Sequence, residues 1–297
     1  MTTIAETLAL PSAALAASVP PESVPRRAPE SSPAAVPSGQ TAKSPLPASS
    51  RILRKLEPFV LWLILLALWF AVAHWLPLGE NPLIPSPQAT ALALWQSLPE
   101  LWKGTLASLG ILVPGFALAV TLGVASGLVV GISPRLQRIF FPFARVAGPV
   151  PPTVYVPYAI AILPTFQLSA IFVVWIGAFW PIFQNTAAGA AALDARYRDN
   201  ASILRMRGLE YAFRVVLPAS LSHVFSGMGV GLAFAFILLT VAETFGASAG
   251  LGRFVQYYAD FADYPRMVAG ILYTGFVTWF AMTLLDKLKH RMLFWQR

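Results

Sequence analysis

VAGPVPPTVYVPYAIAILPTFQLSAIFVVWIGAFWPIFQNTAAGAAAL, residues 146–193, contains no Asp, Glu, Lys or Arg. A helix rises about 1.5 Å per residue, so ~20 apolar residues cross a ~30 Å hydrocarbon core. This run has length for two crossings, and Leu163-Pro164-Thr165-Phe166-Gln167 offers a turn near its middle. Four other runs, 58–79, 104–134, 215–242 and 267–285, are equally free of charge and fit one crossing each. The sequence therefore predicts an all-α, polytopic membrane protein with six spans, at about 59–76, 105–132, 146–163, 168–187, 220–242 and 267–285.

Composition agrees. The 297 residues are 57% apolar and 11% charged, with a mean hydropathy of +0.65. Soluble domains carry about a quarter charged residues, so an ordinary water-soluble globule is excluded. The net charge of +8 does not point to nucleic acid, because the cations lie between apolar stretches rather than in one phosphate-binding cluster. Their distribution sets orientation instead. Of 21 Lys and Arg residues, only Lys103, Arg253 and Arg266 fall in 77–103, the turn near 164 and 243–266. The rest lie in the N-terminal segment, the 133–145 and 188–219 loops and the C-terminal tail. By the positive-inside rule that set is cytoplasmic, together with both termini. Residues 1–50, rich in Pro, Ser and Ala and without an aromatic residue, read as a disordered cytoplasmic tail ahead of a permease-sized domain over 51–297. A signal peptide fits this segment less well, because it lacks a positively charged start.

Within the spans, Gly115, Ala119, Gly123, Gly127 and Gly131 recur every four residues, and Gly227 and Gly231 repeat the pattern. Such ridges let helix backbones approach closely in lipid, either within one chain or across an interface. The third span carries Pro149, Pro151, Pro152 and Pro157, which withhold backbone N–H groups and favour kinks. Broken helices survive at membrane depth where they line protein or water, so this span is the first candidate for a pathway wall.

Catalytic machinery is not visible. There is no cysteine, and His74, His223 and His290 are widely scattered. No G-x-x-x-x-G-K-[ST] loop is present to cradle nucleotide phosphates. Asp194 and Asp199 sit among arginines, and Asp260 and Asp263 read as a solvated face. Glu243 ends an otherwise uncharged span, where an ionised group is costly unless paired or hydrated. It is read either as a gate or solute-facing group, or as a helix-end carboxylate bonded to Thr244, Ser248 or nearby backbone N–H groups. Thr153, Gln184, Asn185 and Thr244 are further pathway candidates, since hydroxyls and amides can bind an oxyanion. Tyr257, Tyr258 and Trp295 are assigned to membrane-interface belts. These features indicate a transporter or a membrane scaffold that docks a cytoplasmic partner; a membrane-embedded enzyme is disfavoured.

The loop 188–219 is amphipathic and reads Asp199-Asn200-Ala201, then Arg205, Gly208 and Val215-Val216-Leu217-Pro218. Its spacing resembles the E-A-A-x3-G-x9-I-x-L-P signature of permeases of binding-protein-dependent ABC importers. Asn200 replaces an alanine and Arg205 the glycine, so the glycine's turn is expected to shift to Gly208. Leu83-Ile84-Pro85-Ser86-Pro87, Phe179-Trp180-Pro181-Ile182-Phe183-Gln184-Asn185-Thr186, and Val241-Ala242-Glu243-Thr244 with Ser248-Ala249-Gly250-Leu251-Gly252 resemble, in order, motifs of the nitrate/sulfonate/taurine/bicarbonate branch.

The resemblance implies a multi-pass subunit of a bacterial inner membrane. Its partners would be a second permease copy, an extracytoplasmic solute-binding protein and an ATPase subunit that holds ATP and Mg, with no cofactor in this chain. Asp199, Asn200, Ala201, Arg205, Gly208, Leu217 and Pro218 would form the coupling element that docks on the ATPase. The implied solute is a small anion. Because the spans hold no Lys or Arg, a tight anion site deep in the permease is not expected, and selectivity would rest with the binding protein.

Overall fold

The computed structural model describes residues 48–75 and 83–294, and side chains over 60–73 and 83–294. The tail expected over 1–50 lies outside the described residues except at 48–50, which begin the first helix. Compactness divides the chain into Met1–Leu56 and Glu57–Arg297. Of the first unit only helical residues 48–56 are described; all that follows concerns the second.

All regular structure among the described residues is helical. The long elements are α1 (Ala48–Trp75), α2 (Pro87–Ile132), α5 (Phe166–Ala191), α8 (Leu217–Gly246) and α10 (Tyr264–Met292). Shorter ones are α3 (Pro134–Ala147), α4 (Tyr155–Ile162), α6 (Ala195–Ile203), α7 (Gly208–Tyr211) and α9 (Leu251–Asp260). Four helical stretches among the described residues are long and apolar enough to cross a membrane: Pro87–Ile132, Phe166–Ala191, Gly208–Gly246 and Tyr264–Met292. The described side chains of α1 add the apolar stretch Val60–Ala73, whose Trp62, Leu63 and Leu61 face outward. In water such exposure would be a liability; against lipid tails it costs nothing.

Local chemistry explains the boundaries. Ser86 starts α2, its hydroxyl accepting the Ala89 N–H at 3.2 Å, with Pro87 in the first turn where no N–H is needed. Thr165 caps α5 by accepting from Leu168 N–H at 3.3 Å, and Asp263 caps α10 through Arg266 N–H at 3.2 Å. The expected span 105–132 is the inner part of a longer helix. Lys103 and Glu100 ended the uncharged run, yet the helix continues through them because their side chains reach a water-facing edge.

The bundle is organised around α5, which lies between α2 and α8. The ridge of small residues on α2 packs against it within the chain. A Cβ added at Gly115 would meet Val174 Cγ1 at 2.8 Å, at Gly123 Ile182 Cγ2 at 2.9 Å, and at Gly127 Thr186 Cβ at 2.7 Å. On the other side, a Cβ added at Gly227 or Gly231 of α8 would meet Pro181 O or Ala178 O at 3.0 Å. Ala119, Ala178, Ile182, Ala235 and Leu239 fill the space between the three helices.

The expected span 146–163 is not one continuous helix. α3 ends at Ala147, the chain breaks through Gly148–Pro151, a 3-10 turn follows at Pro152–Val154, and α4 resumes. Pro149, Pro151 and Pro152 cannot donate to an α-helical ladder, which is why the break sits there. The stretch Pro152–Ile162 alone is too short to cross a bilayer. The broken track still runs antiparallel along α5: Gln184 Nε2 donates to Ala144 O at 3.0 Å, and Ser169 Oγ to Ala159 O at 2.9 Å.

Candidate functional site

At one end of the bundle, beyond the cluster of Leu128, Ala190, Leu193 and Val216, the chain leaves α5 and forms α6. Asp194 caps it by accepting from Arg196 N–H at 3.0 Å. Ala201 is buried, while Asp199 and Asn200 are exposed. The helix then stops in a Schellman turn: Arg205 N–H donates to Ser202 O at 3.0 Å and Met206 N–H to Ala201 O at 3.0 Å. Arg205 holds the left-handed position of that turn, at φ 56°. The turn has therefore not moved to Gly208; that residue adds a second left-handed bend at φ 59°. A non-glycine residue pays about 1–2 kcal/mol for this conformation.

From Gly208 the chain is helical through α7, a π turn at Ala212–Val216 and α8. The wide turn, closed by Leu217 N–H on Ala212 O, relieves the clash that Pro218 would otherwise make one turn upstream. Ile203, Leu204, Leu209 and Phe213 are all more than half exposed here, beside Arg196, Arg198, Arg205 and Arg207. Large apolar side chains are thus exposed among charged ones at this end of the bundle.

Toward the other end, Glu243 is fully buried. Its carboxylate accepts from Ser108 Oγ at 2.5 Å and from Gly252 N–H at 2.7 Å, and Ser108 Oγ accepts from Leu251 N–H at 3.0 Å. One side chain thus ties α2, α8 and the first turn of α9 together. Gly250, at φ 153°, passes directly over the carboxylate, and any Cβ there would overlap Glu243. The hydrogen bonds come from Ser108 and backbone, not from Thr244 or Ser248; Thr244 Oγ1 donates to Val241 O at 2.7 Å.

The family model described as binding-protein-dependent transport system inner membrane component matches residues 119–293, which include α5, the α6–α7 platform and Glu243 with its partner Gly252, but not Ser108. The chain belongs to this family. Relatives of this transport family include the nitrate import permease protein NrtB of Synechocystis sp., 28% identical over 75% of this chain and 83% of that one. The bicarbonate transport system permease protein CmpB of Synechococcus elongatus is 31% identical over 59% of this chain and 63% of that one. The taurine transport system permease protein TauC of Escherichia coli is 26% identical over 78% and 86%. The fold matches a crystal structure of an amino acid ABC transporter with histidines, with a TM-score of 0.53, 15% identity, and coverage of 67% of this chain and 97% of that one.

Among the remaining residues singled out in this transport-family permease, Thr153 sits exposed in the 3-10 turn, beside a recess of about 340 Å³ lined by Pro151, Trp180 and Ile237. Gln184 pins α3 to α5, and Asn185 Nδ2 donates to Pro181 O at 2.8 Å. Neither adjoins Glu243. Sequence reading missed Ser108, which lies seven residues before Gly115 and so falls outside the four-residue register of small residues on α2. Tyr258 does more than sit at an interface: its hydroxyl donates to Glu100 at 3.0 Å. Burial, the Glu100 hydrogen bond and the nearby negative charge raise its pKa. Trp295 lies outside the described residues.

Proposed function

We propose that the chain is the membrane-spanning permease of an ATP-driven importer for a small anion of the nitrate, bicarbonate, taurine or sulfonate class. The observation that carries this reading is the α6–α7 platform, with its Schellman turn at Arg205 and its exposed Ile203, Leu204 and Leu209, held at the signature spacing of the family. The names of the relatives support the solute class. In this account two copies pair in the inner membrane with their termini in the cytoplasm. A separate ATPase grips Asp199, Asn200 and the Arg205 turn, an extracytoplasmic binding protein delivers solute at the Glu243 end, and closure of the ATPases switches the permease between outward and inward openings. Thr153 and the broken α3–α4 track form a wall of the passage.

The test is uptake of labelled nitrate, bicarbonate, taurine and methanesulfonate by cells with and without the intact gene. The expected result is loss of uptake of one of these anions on deletion, restored by the parent chain and not by Gly208→Trp at equal membrane abundance. Full uptake of all four anions without the gene would refute the solute class, and full restoration by Gly208→Trp would refute the coupling role.

A further inference from the structure

Along α2, Gly131 meets Ala190 near the α6 platform and Gly104 meets Gly250 near the Glu243 clamp. The second end holds a recess of about 360 Å³ between α2, the 248–250 turn and α9. Lys103 and Arg253 line it, with Ser248 exposed between them and Glu100 on the wall. Among the described residues the ion pairs are Arg214–Glu210 and Arg266–Asp263, so neither lining cation has a carboxylate at ion-pair distance. The wall's carboxylate, Glu100, is engaged by the Tyr258 hydroxyl. The third cation of this end, Arg266, is bound to Asp263 at 3.1 Å and stacked 5.3 Å over Tyr258. Among the described residues Lys103 and Arg253 are therefore the two cations here without a carboxylate partner, Arg253 lying 5.8 Å over the Tyr257 ring.

Their backbone positions are fixed by buried structure. Glu243 and Ser108 hold the Gly252 and Leu251 N–H groups, which sets Arg253 one residue later. A Cβ at Gly104 would sit 3.3 Å from the Gly250 carbonyl, so α2 presses on the turn immediately beside Lys103. Two cations from distant parts of the sequence, their backbones held at one recess that also carries a hydroxyl, form an anion receptor.

We infer that this recess binds a small oxyanion, with the Lys103 ammonium, the Arg253 guanidinium and the Ser248 hydroxyl as donors. Only the kinship of this anion to the transported solute rests on the function proposed above. The site is open to water, so its affinity is of order millimolar, suited to passing a solute on rather than retaining it.

The chain has no cysteine, so Ala249→Cys, at an exposed lining position that removes none of the donors, gives a clean reporter in the full-length chain. Its modification rate is measured with methanethiosulfonates carrying a sulfonate or a trimethylammonium group. The anionic-to-cationic rate ratio should fall about 10-fold in Lys103→Gln/Arg253→Gln and recover in Lys103→Arg/Arg253→Lys, which shows that charge rather than folding is read. Nitrate or methanesulfonate at about tenfold the dissociation constant, at fixed ionic strength, should slow modification by about 10-fold in the parent only. A lipid phosphate offers the same chemistry, so the measurement is repeated in phosphatidylcholine vesicles with and without phosphatidylglycerol. Slowing by phosphatidylglycerol with no response to free anion would assign the recess to lipid and overturn the inference. An unchanged ratio in the double Gln variant would also overturn it. Anion uptake is scored separately: a parent chain that transports no anion yet shows protection sinks the transport reading alone.

Discussion

Two donors, the Ser108 hydroxyl and the Gly252 N–H, lose their acceptor if the Glu243 carboxylate is removed, while Leu251 N–H keeps Ser108 Oγ. A buried unsatisfied donor costs about 1–3 kcal/mol. Glu243→Ala should therefore destabilise the chain by about 3 kcal/mol or more, and Glu243→Gln, which keeps one acceptor, by about 1–2 kcal/mol. Thermal unfolding in detergent checks the order; a neutral Glu243→Ala would show that the clamp holds nothing together. At Arg205 the sign reverses. Arg205→Gly relieves the left-handed strain and should raise stability by about 1 kcal/mol, where a loss would mean the arginine side chain makes a compensating contact. The importance of Glu243 was legible because it ends an otherwise uncharged span and an ionised group there needs partners. Its partner was not, because Ser108 lies 135 positions away and no periodicity links the two.

Close packing of α2, α5 and α8 depends on where glycine lacks room for a methyl. Gly127→Ala would drive a Cβ to 2.7 Å from Thr186 Cβ and 2.9 Å from Phe183 O, against backbone that cannot give way. Overpacking of this kind costs about 1–3 kcal/mol. Gly229 has nothing within 4 Å, so Gly229→Ala should be neutral or stabilising by up to about 1 kcal/mol. Equal effects of the two substitutions on thermal unfolding would contradict the packing described. At this scale the uncharged runs revealed most helices, and the i+4 glycines revealed which face of α2 is buried. They could not reveal how far α2 extends, since its polar first turns line the Lys103 recess and broke the run. The prolines of 149–152 announced a kink; that the helix stops and restarts there depends on α5 lying alongside to hold both halves.

For the molecule as a whole, the proposed orientation rests on the placement of Lys and Arg, and two exposed serines test it. Ser248→Cys and Ser202→Cys lie near opposite ends of the bundle. An impermeant thiol reagent applied to spheroplasts should label the first and spare the second until the membrane is opened; the reverse pattern would invert the topology. The family of the chain was legible because its motifs occur in order at fixed spacing, whereas the solute left no such mark, since among the described residues no buried Lys or Arg is present to match an anion. The claim on which the account turns is that α6 and α7 receive an ATPase. Leu204→Cys, carrying a short thiol-reactive photo-crosslinker in native membranes, should yield an adduct with a separate protein that bears a phosphate-cradling ATP site, and Gly208→Trp should abolish that adduct. Adducts with lipid alone, or with proteins lacking such a site, would contradict it.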